Sequence, residues 1–169
     1  MSITLEGALQ ILQDLAKRPS ISFHEKLVSE YVLHSLDQMG VEARCDPYGN
    51  IIARIIGMTA GVPPLAFVAH MDHPGFEAIE FRGNTIVAEA RGGVPSSSFS
   101  NPVPVEVVSP EGNRLKAHLA GTAGDPNDRR VLVNIGEATT ISLPASIVFD
   151  LPDFKRDGDL LRMRAADDL

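Results

Sequence analysis

The sequence predicts an α/β unit joined to a small all-β barrel, and three observations carry that expectation. Apolar residues recur at helical spacing through Met39, Leu65 to Ala69 is apolar on both faces, and from Gly75 onward helical periodicity gives way to short alternating runs broken by Gly, Pro, Ser and Asn.

Leu5, Ala8, Leu9, Leu12, Leu15 and Ala16 form the first apolar stripe and Pro19 closes it, so residues 4 to 18 are expected to be helical. Leu27, Val28, Tyr31, Val32, Leu36 and Met39 form a second stripe over 23 to 39. Gly40 supplies its left-handed stop, and Ser22 and Glu25 stand at capping-box spacing before it. Val41 to Cys45 and Ile51 to Ile56, separated by the turn cluster Asp46 to Asn50, read as an antiparallel hairpin. Leu65 to Ala69, entered through Pro63 and Pro64, reads as a central strand covered on both sides, as in an α/β sandwich. Barrel strands are expected at Phe76 to Phe81, Thr85 to Ala90, Val103 to Val108, Leu115 to Ala120, Val131 to Ile135 and Ser146 to Phe149. A turn at Asp157-Gly158-Asp159 leads to a short strand at Leu160 to Met163.

Composition bounds the function. The chain has 169 residues, 44% of them hydrophobic, which is enough for a core without disulfide or metal staples. Fifteen Lys and Arg against 22 Asp and Glu leave a net charge of -7, which disfavours nucleic acid and anionic membranes as partners. Aromatic residues make up 5% and Trp is missing, so stacking platforms for bases are poorly supplied. Cys45 is the sole cysteine, which fits a reducing, cytoplasmic setting. Glu6 and Asp14 interrupt the N-terminal stripe, so it reads as neither signal peptide nor membrane span. Ala165 to Leu169 reads as an interrupted element and not as a finished C-terminus.

His70 and Asp72 follow directly on the apolar run, at the end of a strand where α/β sheets carry reacting groups. Two residues apart on an extended chain they face the same way, and a carboxylate beside an imidazole fixes its tautomer and raises its basicity, as a metal site requires. Asp167-Asp168 alone is no more than a solvated helix start. His24, His34 and His118 read as ordinary structural residues, and Cys45 as a small half-buried side chain. No Gly-x-Ser-x-Gly elbow surrounds Ser96 to Ser100, and Gly92-Gly93 is too short for a phosphate loop.

Taken in order, Pro19-Ser20-Ile21-Ser22, Gly49-Asn50, Ala69-His70-Met71-Asp72-His73-Pro74-Gly75-Phe76, a β-rich stretch and Ala166-Asp167-Asp168 resemble the N-terminal half of the glutamyl aminopeptidase and tetrahedral aminopeptidase family of dinuclear metallopeptidases. The resemblance implies a three-layer α/β metallo-exopeptidase core, partial here, over residues 1–74 and 165–169, interrupted by an inserted PDZ-like all-β barrel over 75–164. It makes His70 a ligand of one metal, Asp167 the carboxylate bridging two, and Asp72 the catalytic-site acid that steers His70. Asp168 would flank the bridge. His73 stands where an acid is common, and is a turn residue or else an extra ligand or pocket residue.

The implied cofactors are two divalent ions, zinc or cobalt, and the implied substrates are peptides that lose N-terminal residues. The implied partner is a second copy, dimerising through the inserted domain and building dodecamers when complete. No side chain acts as nucleophile in this chemistry. The family's general-base Glu and its remaining ligands come from sequence past the Asp-Asp element, and this chain has no Glu-Glu pair. Two alternatives stand beside this reading: a non-catalytic assembly or peptide-binding module, and a related dinuclear deacylase or carboxypeptidase, which Asp168 disfavours. The insertion arrangement would bring Asp167 within about 10 Å of His70, because paired metals sit ~4 Å apart. A strand at Leu65 to Ala69 short of neighbours would favour self-association.

Overall fold

The computed structural model describes residues 4–57, 61–99, 102–136 and 141–164. Its centre is a closed barrel of six antiparallel strands: β3 (Gly75–Arg82), β4 (Thr85–Arg91), β5 (Pro104–Val108), β6 (Arg114–Thr122), β7 (Arg130–Asn134) and β8 (Ala145–Phe149). They run in the order β3-β4-β7-β6-β5-β8, with β8 closing onto β3. Alternation explains the closure. Phe76 and Ala78, Ile86 and Ala88, Val105 and Val107, Ala117 and Leu119, Val131 and Val133, and Ala145 and Ile147 are all buried at two-residue spacing in one core. Register shifts between Ala78 and Glu80 and between Leu119 and Gly121 mark β-bulges, which bend strands and so help a small barrel to close. Phe76 is its largest fully buried side chain, with ring centroids of Phe99 and Phe149 at 6.0 and 5.7 Å.

All six expected barrel strands are present, within one or two residues at their ends. The N-terminal elements also form. Helix α1 (Leu5–Ala16) starts at Thr4, whose Oγ1 accepts from the Gly7 N–H at 3.1 Å. Helix α2 (Lys26–Gln38) is followed by the antiparallel pair β1 (Ala43–Cys45) and β2 (Ile51–Ala53). The Arg18 guanidinium lies 4.2 Å over the Tyr31 ring and joins the two helices. Cys45, expected half-buried, is exposed.

Two expectations are corrected, and one strand is added. Leu65 to Ala69 forms no strand, and Leu65, Phe67 and Val68 are 81%, 91% and 95% exposed. A strand covered on both faces needs a neighbour along its edge and a layer on each face, and the described residues supply neither. The three-layer α/β core is accordingly not formed among them. The capping box before α2 is not formed either: the helix starts after Glu25 with no side-chain cap, and the Ser22 hydroxyl is engaged elsewhere. Finally, Phe154–Asp157 (β9) pairs with Leu160–Met163 (β10) across Gly158 and Asp159. Phe-Lys-Arg-Asp has a single apolar residue and no alternation, so nothing in the sequence marked it as a strand.

Among the described residues an apolar socket and a charge network hold the helical part against one barrel wall. Ile21 is fully buried with Val108 and Val148, and it forms a parallel bridge with His73 at the entrance to β3. On the same barrel wall Glu106, nearly buried, meets Arg114 at 3.0 Å, Lys116 at 2.9 Å and Arg164 at 3.4 Å. Asp153 pairs with Arg114 at 2.9 Å and with Arg164 at 3.1 Å, and Asp150 with Lys116 at 2.7 Å. Arg114 also donates to the Lys17 carbonyl at 2.6 Å, which binds the end of α1 to the network. Burial lowers the pKa of Arg164 below its ordinary value; Asp153 and Glu106 oppose that effect and Arg114 adds to it.

Gly75 is where the barrel meets Ile21. A Cβ there would overlap Ile21 Cγ2 and come within 2.8 Å of the Ile147 carbonyl oxygen, so only glycine fits. Gly75→Ala is expected to destabilise the protein by about 1–3 kcal/mol, as overpacking does. The measurement is urea unfolding, with a lower midpoint at unchanged slope. A midpoint equal to the parent's would mean that Ile21 and β8 move aside freely.

Candidate functional site

The residues that carry chemistry gather where the uncovered segment ends and β3 begins. His70 Nδ1 lies 2.8 Å from the Asp72 carbonyl oxygen and 3.4 Å from Asp72 Oδ1. An N–H at Nδ1 satisfies both acceptors, and in that tautomer the lone pair lies on Nε2. The other Asp72 oxygen, Oδ2, accepts a hydrogen bond from the Ser22 hydroxyl. A chain of contacts therefore runs from Ser22 through Asp72 to His70, with Asp72 half-buried and His70 more open to solvent. This is the arrangement that orients an imidazole to meet a cation or a substrate group.

His73 plays a different part from the one its type suggests. Its backbone N–H donates to the Ser20 carbonyl at 2.7 Å, and its ring Nε2 accepts from the Ser20 N–H at 3.2 Å. An accepting Nε2 puts the ring proton on Nδ1, which lies 3.0 Å from the Pro74 carbonyl. Both ring nitrogens thus engage backbone, which makes His73 a clasp between the 20–25 turn and the entrance to β3.

Asp167 and Asp168 lie outside the described residues. Among the described residues no group of three or more His, Cys, Asp and Glu side chains could hold a metal ion. His70 with its oriented ring suits one ligand position; the described donor set does not complete a site.

Sequence reasoning missed Ser22 and underrated His24. The hydroxyl of Ser22 read as a helix cap, because Ser followed three residues later by Glu is the cap signature. Glu25 instead accepts from the Phe23 N–H at 2.8 Å, which bends the chain so that Ser22 faces Asp72. His24, read as an ordinary structural residue, lies half-buried with Nε2 at 3.3 Å from Glu77 Oε1. Glu77 also holds Arg91 through its other oxygen, and Arg91 pairs with Glu89 at 2.8 Å. Phe23, between Ser22 and His24, has φ 73° and a side chain 81% exposed. A left-handed backbone at a bulky residue costs about 1–3 kcal/mol.

With this geometry in place, comparison with known proteins adds the fold's relatives. No protein-family model matches the sequence, and comparison with curated proteins gives no match. Among solved structures the chain resembles PhTET1-12s, described as a dodecamer in the asymmetric unit, with TM-score 0.68 and 20% identity over 94% of this chain and 48% of that one. It resembles the aminopeptidase APDkam598 from the archaeon Desulfurococcus kamchatkensis with TM-score 0.70 and 18% identity, over 88% and 44% of the two chains. It also resembles the TET aminopeptidase from the marine sediment archaeon Thaumarchaeota archaeon SCGC AB-539-E09, with TM-score 0.63 and 16% identity over 89% and 45%. At these identities the likeness establishes the fold. The chain spans less than half the length of each of these structures.

The His24, Glu77 and Arg91 cluster has a consequence in acid. Burial raises the Glu77 pKa, but hydrogen bonds from Arg91 and His24 outweigh it and hold the carboxyl below its ordinary value of 4.5. A depressed folded value stabilises the protein fully above the unfolded pKa, and that stabilisation is lost as pH falls through the folded one. Glu77→Gln is therefore expected to flatten the decline in stability below about pH 4.5 relative to the parent. Thermal unfolding from pH 6 to 3 checks this, and parallel curves for the two proteins would refute it.

Proposed function

We propose that this chain is the N-terminal portion of a two-metal aminopeptidase, with residues 1–74 and 165–169 belonging to a catalytic α/β unit and 75–164 to an inserted barrel unit. One observation carries the reading: His70 is held by Asp72, which is held by Ser22, so that the imidazole has a fixed orientation. Likeness of fold to solved aminopeptidases over nearly the whole chain supports it. In this reading His70 is a metal ligand, Asp72 orients it, Asp167 is the bridging carboxylate and Asp168 flanks that bridge. Two divalent cations, zinc or cobalt, would supply the Lewis acidity for hydrolysing the first peptide bond of a substrate. This chain's own residues orient the imidazole. A cytoplasmic setting, which a lone cysteine suits, belongs to the same reading. Among the described residues no helix is long and apolar enough to cross a membrane.

A second reading stands beside it, because the described residues bring together no group of three metal-binding side chains: a non-catalytic module that binds peptides or builds assemblies through its barrel. Activity separates the two only in the whole enzyme, and the aminopeptidase reading makes a definite statement about this chain. One imidazole and one bridging carboxylate do not hold two cations, and the missing general base alone costs ~100-fold to 10,000-fold in rate. The 169-residue chain is expected to show no appreciable turnover of aminoacyl-chromophore substrates at saturating zinc or cobalt. Turnover that a chelator abolishes and His70→Ala removes would overturn this, and would show that the chain completes its site from other side chains.

Association is the other expected property. The dodecameric arrangement of one structural relative and the uncovered apolar run at Leu65 to Val68 both favour assemblies of this chain. Light scattering is expected to report dimers or larger species. A monomer near the chain mass of 18.2 kDa at high concentration would count against it.

A further inference from the structure

We infer that a cleft on the outer face of the barrel is a binding site for a free amino acid with an apolar side chain, its carboxylate received by Arg130 and its ammonium by Asp128. The cleft has a volume of about 280 Å³, which suits a small ligand. Its floor follows from strand alternation. Ile86 and Ala88 on β4 and Val131 and Val133 on β7 face the core, so Val87 and Leu132, which are register partners, face outward. The next place in that row, on β6, is Gly121 at the strand's bulge, where a Cβ would meet nothing within 4 Å. The outer row is therefore one side chain short. Val87 is only 3% exposed and Leu132 half-buried, so the apolar floor is walled and not open surface.

Two charges of opposite sign flank this floor. Arg130 lies two residues before Leu132 on β7 and shares its outward face. Asp128 ends a 3-10 turn over Pro126–Asp128, and its Oδ2 is 3.7 Å from where a Cβ of Gly124, which also lines the cleft, would stand. Arg129 fixes the bend between them, with φ 53° and its guanidinium on the Gly92 carbonyl at 2.9 Å. Arg130 and Asp128 line one cleft, yet among the described residues neither is in an ion pair, with the other or with any third group. Glu89, the register partner of Arg130, is held by Arg91 at 2.8 Å. Arg82 also lines the cleft, but two hydrogen bonds to Glu80, at 3.0 and 2.8 Å, neutralise it. The cleft thus offers a ligand one cation and one anion, a balance that selects a zwitterion over a phosphate, a dicarboxylate or a simple amine. An α-amino acid carries both charges on one carbon, and its side chain then covers Val87 and Leu132. The site does not depend on the peptidase reading; where that reading holds, the ligand belongs to the class of its products.

The test is an amide-shift titration of the isotope-labelled 169-residue chain at about pH 6, where α-amines are protonated. The ligands are leucine, N-acetyl-leucine, which lacks the ammonium, and leucinamide, which lacks the carboxylate. Leucine at millimolar concentration is expected to move the amides of Val87, of Thr122 to Gly124 and of Asp128 to Leu132. Each analogue is expected to bind about tenfold more weakly, having lost one charged partner. Two variants assign the partners. Arg130→Gln is expected to bind leucine and leucinamide equally, and Asp128→Asn to bind leucine and N-acetyl-leucine equally, both with unchanged melting temperature, as for surface substitutions. No shifts at these positions would overturn the site, as would analogues that bind as well as leucine or variants that keep both preferences. Shifts confined to His70 to His73 would overturn the cleft and spare the peptidase reading, because they place the amino acid at the other site.

Discussion

The candidate site depends on one side chain filling one socket. Ile21 is fully buried between Val108 and Val148, against a β3 residue that must be glycine. Once it is seated, the residues on either side of it have fixed tasks. Ser20 clasps His73 by one backbone and one ring contact, Ser22 reaches Asp72, and His24 reaches Glu77. Four polar contacts thus depend on a single apolar one. The order of strength is physically reasonable: burying an Ile contributes roughly 1.5–3 kcal/mol, whereas each net hydrogen bond contributes about 0.5–1.5. The hydrogen bonds then select which rotamer and tautomer the buried anchor makes available.

The second attachment works by charge. Glu106 is a nearly buried carboxylate facing Arg114, Lys116 and Arg164, and Asp150 and Asp153 balance the surplus of cations. Such a cluster adds little net stability over an apolar equivalent, but it is intolerant of losing one member. Its value here is positional. Arg114 ties the end of α1 to the barrel wall through the Lys17 carbonyl, and Arg164 ties the chain after β10 to the same wall through the Phe149 and Leu151 carbonyls. The chain therefore leaves the barrel region at Arg164 on the same wall that holds the end of α1.

The barrel was legible because its signal is local. Period-two alternation with turn residues between runs identifies a half-buried strand wherever it sits, and Ile86 to Ala90 or Val105 to Val107 need no partner to be read correctly. Residues whose role depends on distant neighbours were not legible. Ser22 carries the signature of a helix cap, and only the placement of Asp72 fifty positions later turns its hydroxyl away. His73 reads from the sequence as a turn residue or else an extra ligand or pocket residue, and only Ser20, far from it in the chain, engages its ring. Phe154 to Asp157 becomes a strand because β10 pairs with it, not because of its own composition. His70 and Asp72 were legible as a pair, since a spacing of two in one segment survives whatever the rest of the fold does.

Leu65 to Val68 shows the converse, a pattern correctly apolar and left uncovered. Three side chains there remain more than four-fifths in water, each forgoing roughly 1.5–3 kcal/mol that burial would contribute. The buried counterparts of the N-terminal stripes are few: Ala16 in α1 and Val28 in α2. Stability in the described residues is therefore concentrated in the barrel, and the site's geometry is held from that side. His70 follows the uncovered run, yet its orientation comes from Asp72, and Asp72 is held through Ser22 by the Ile21 socket. Covering the apolar run can then strengthen the N-terminal unit without having to create the His70 geometry, because the barrel wall already supplies it.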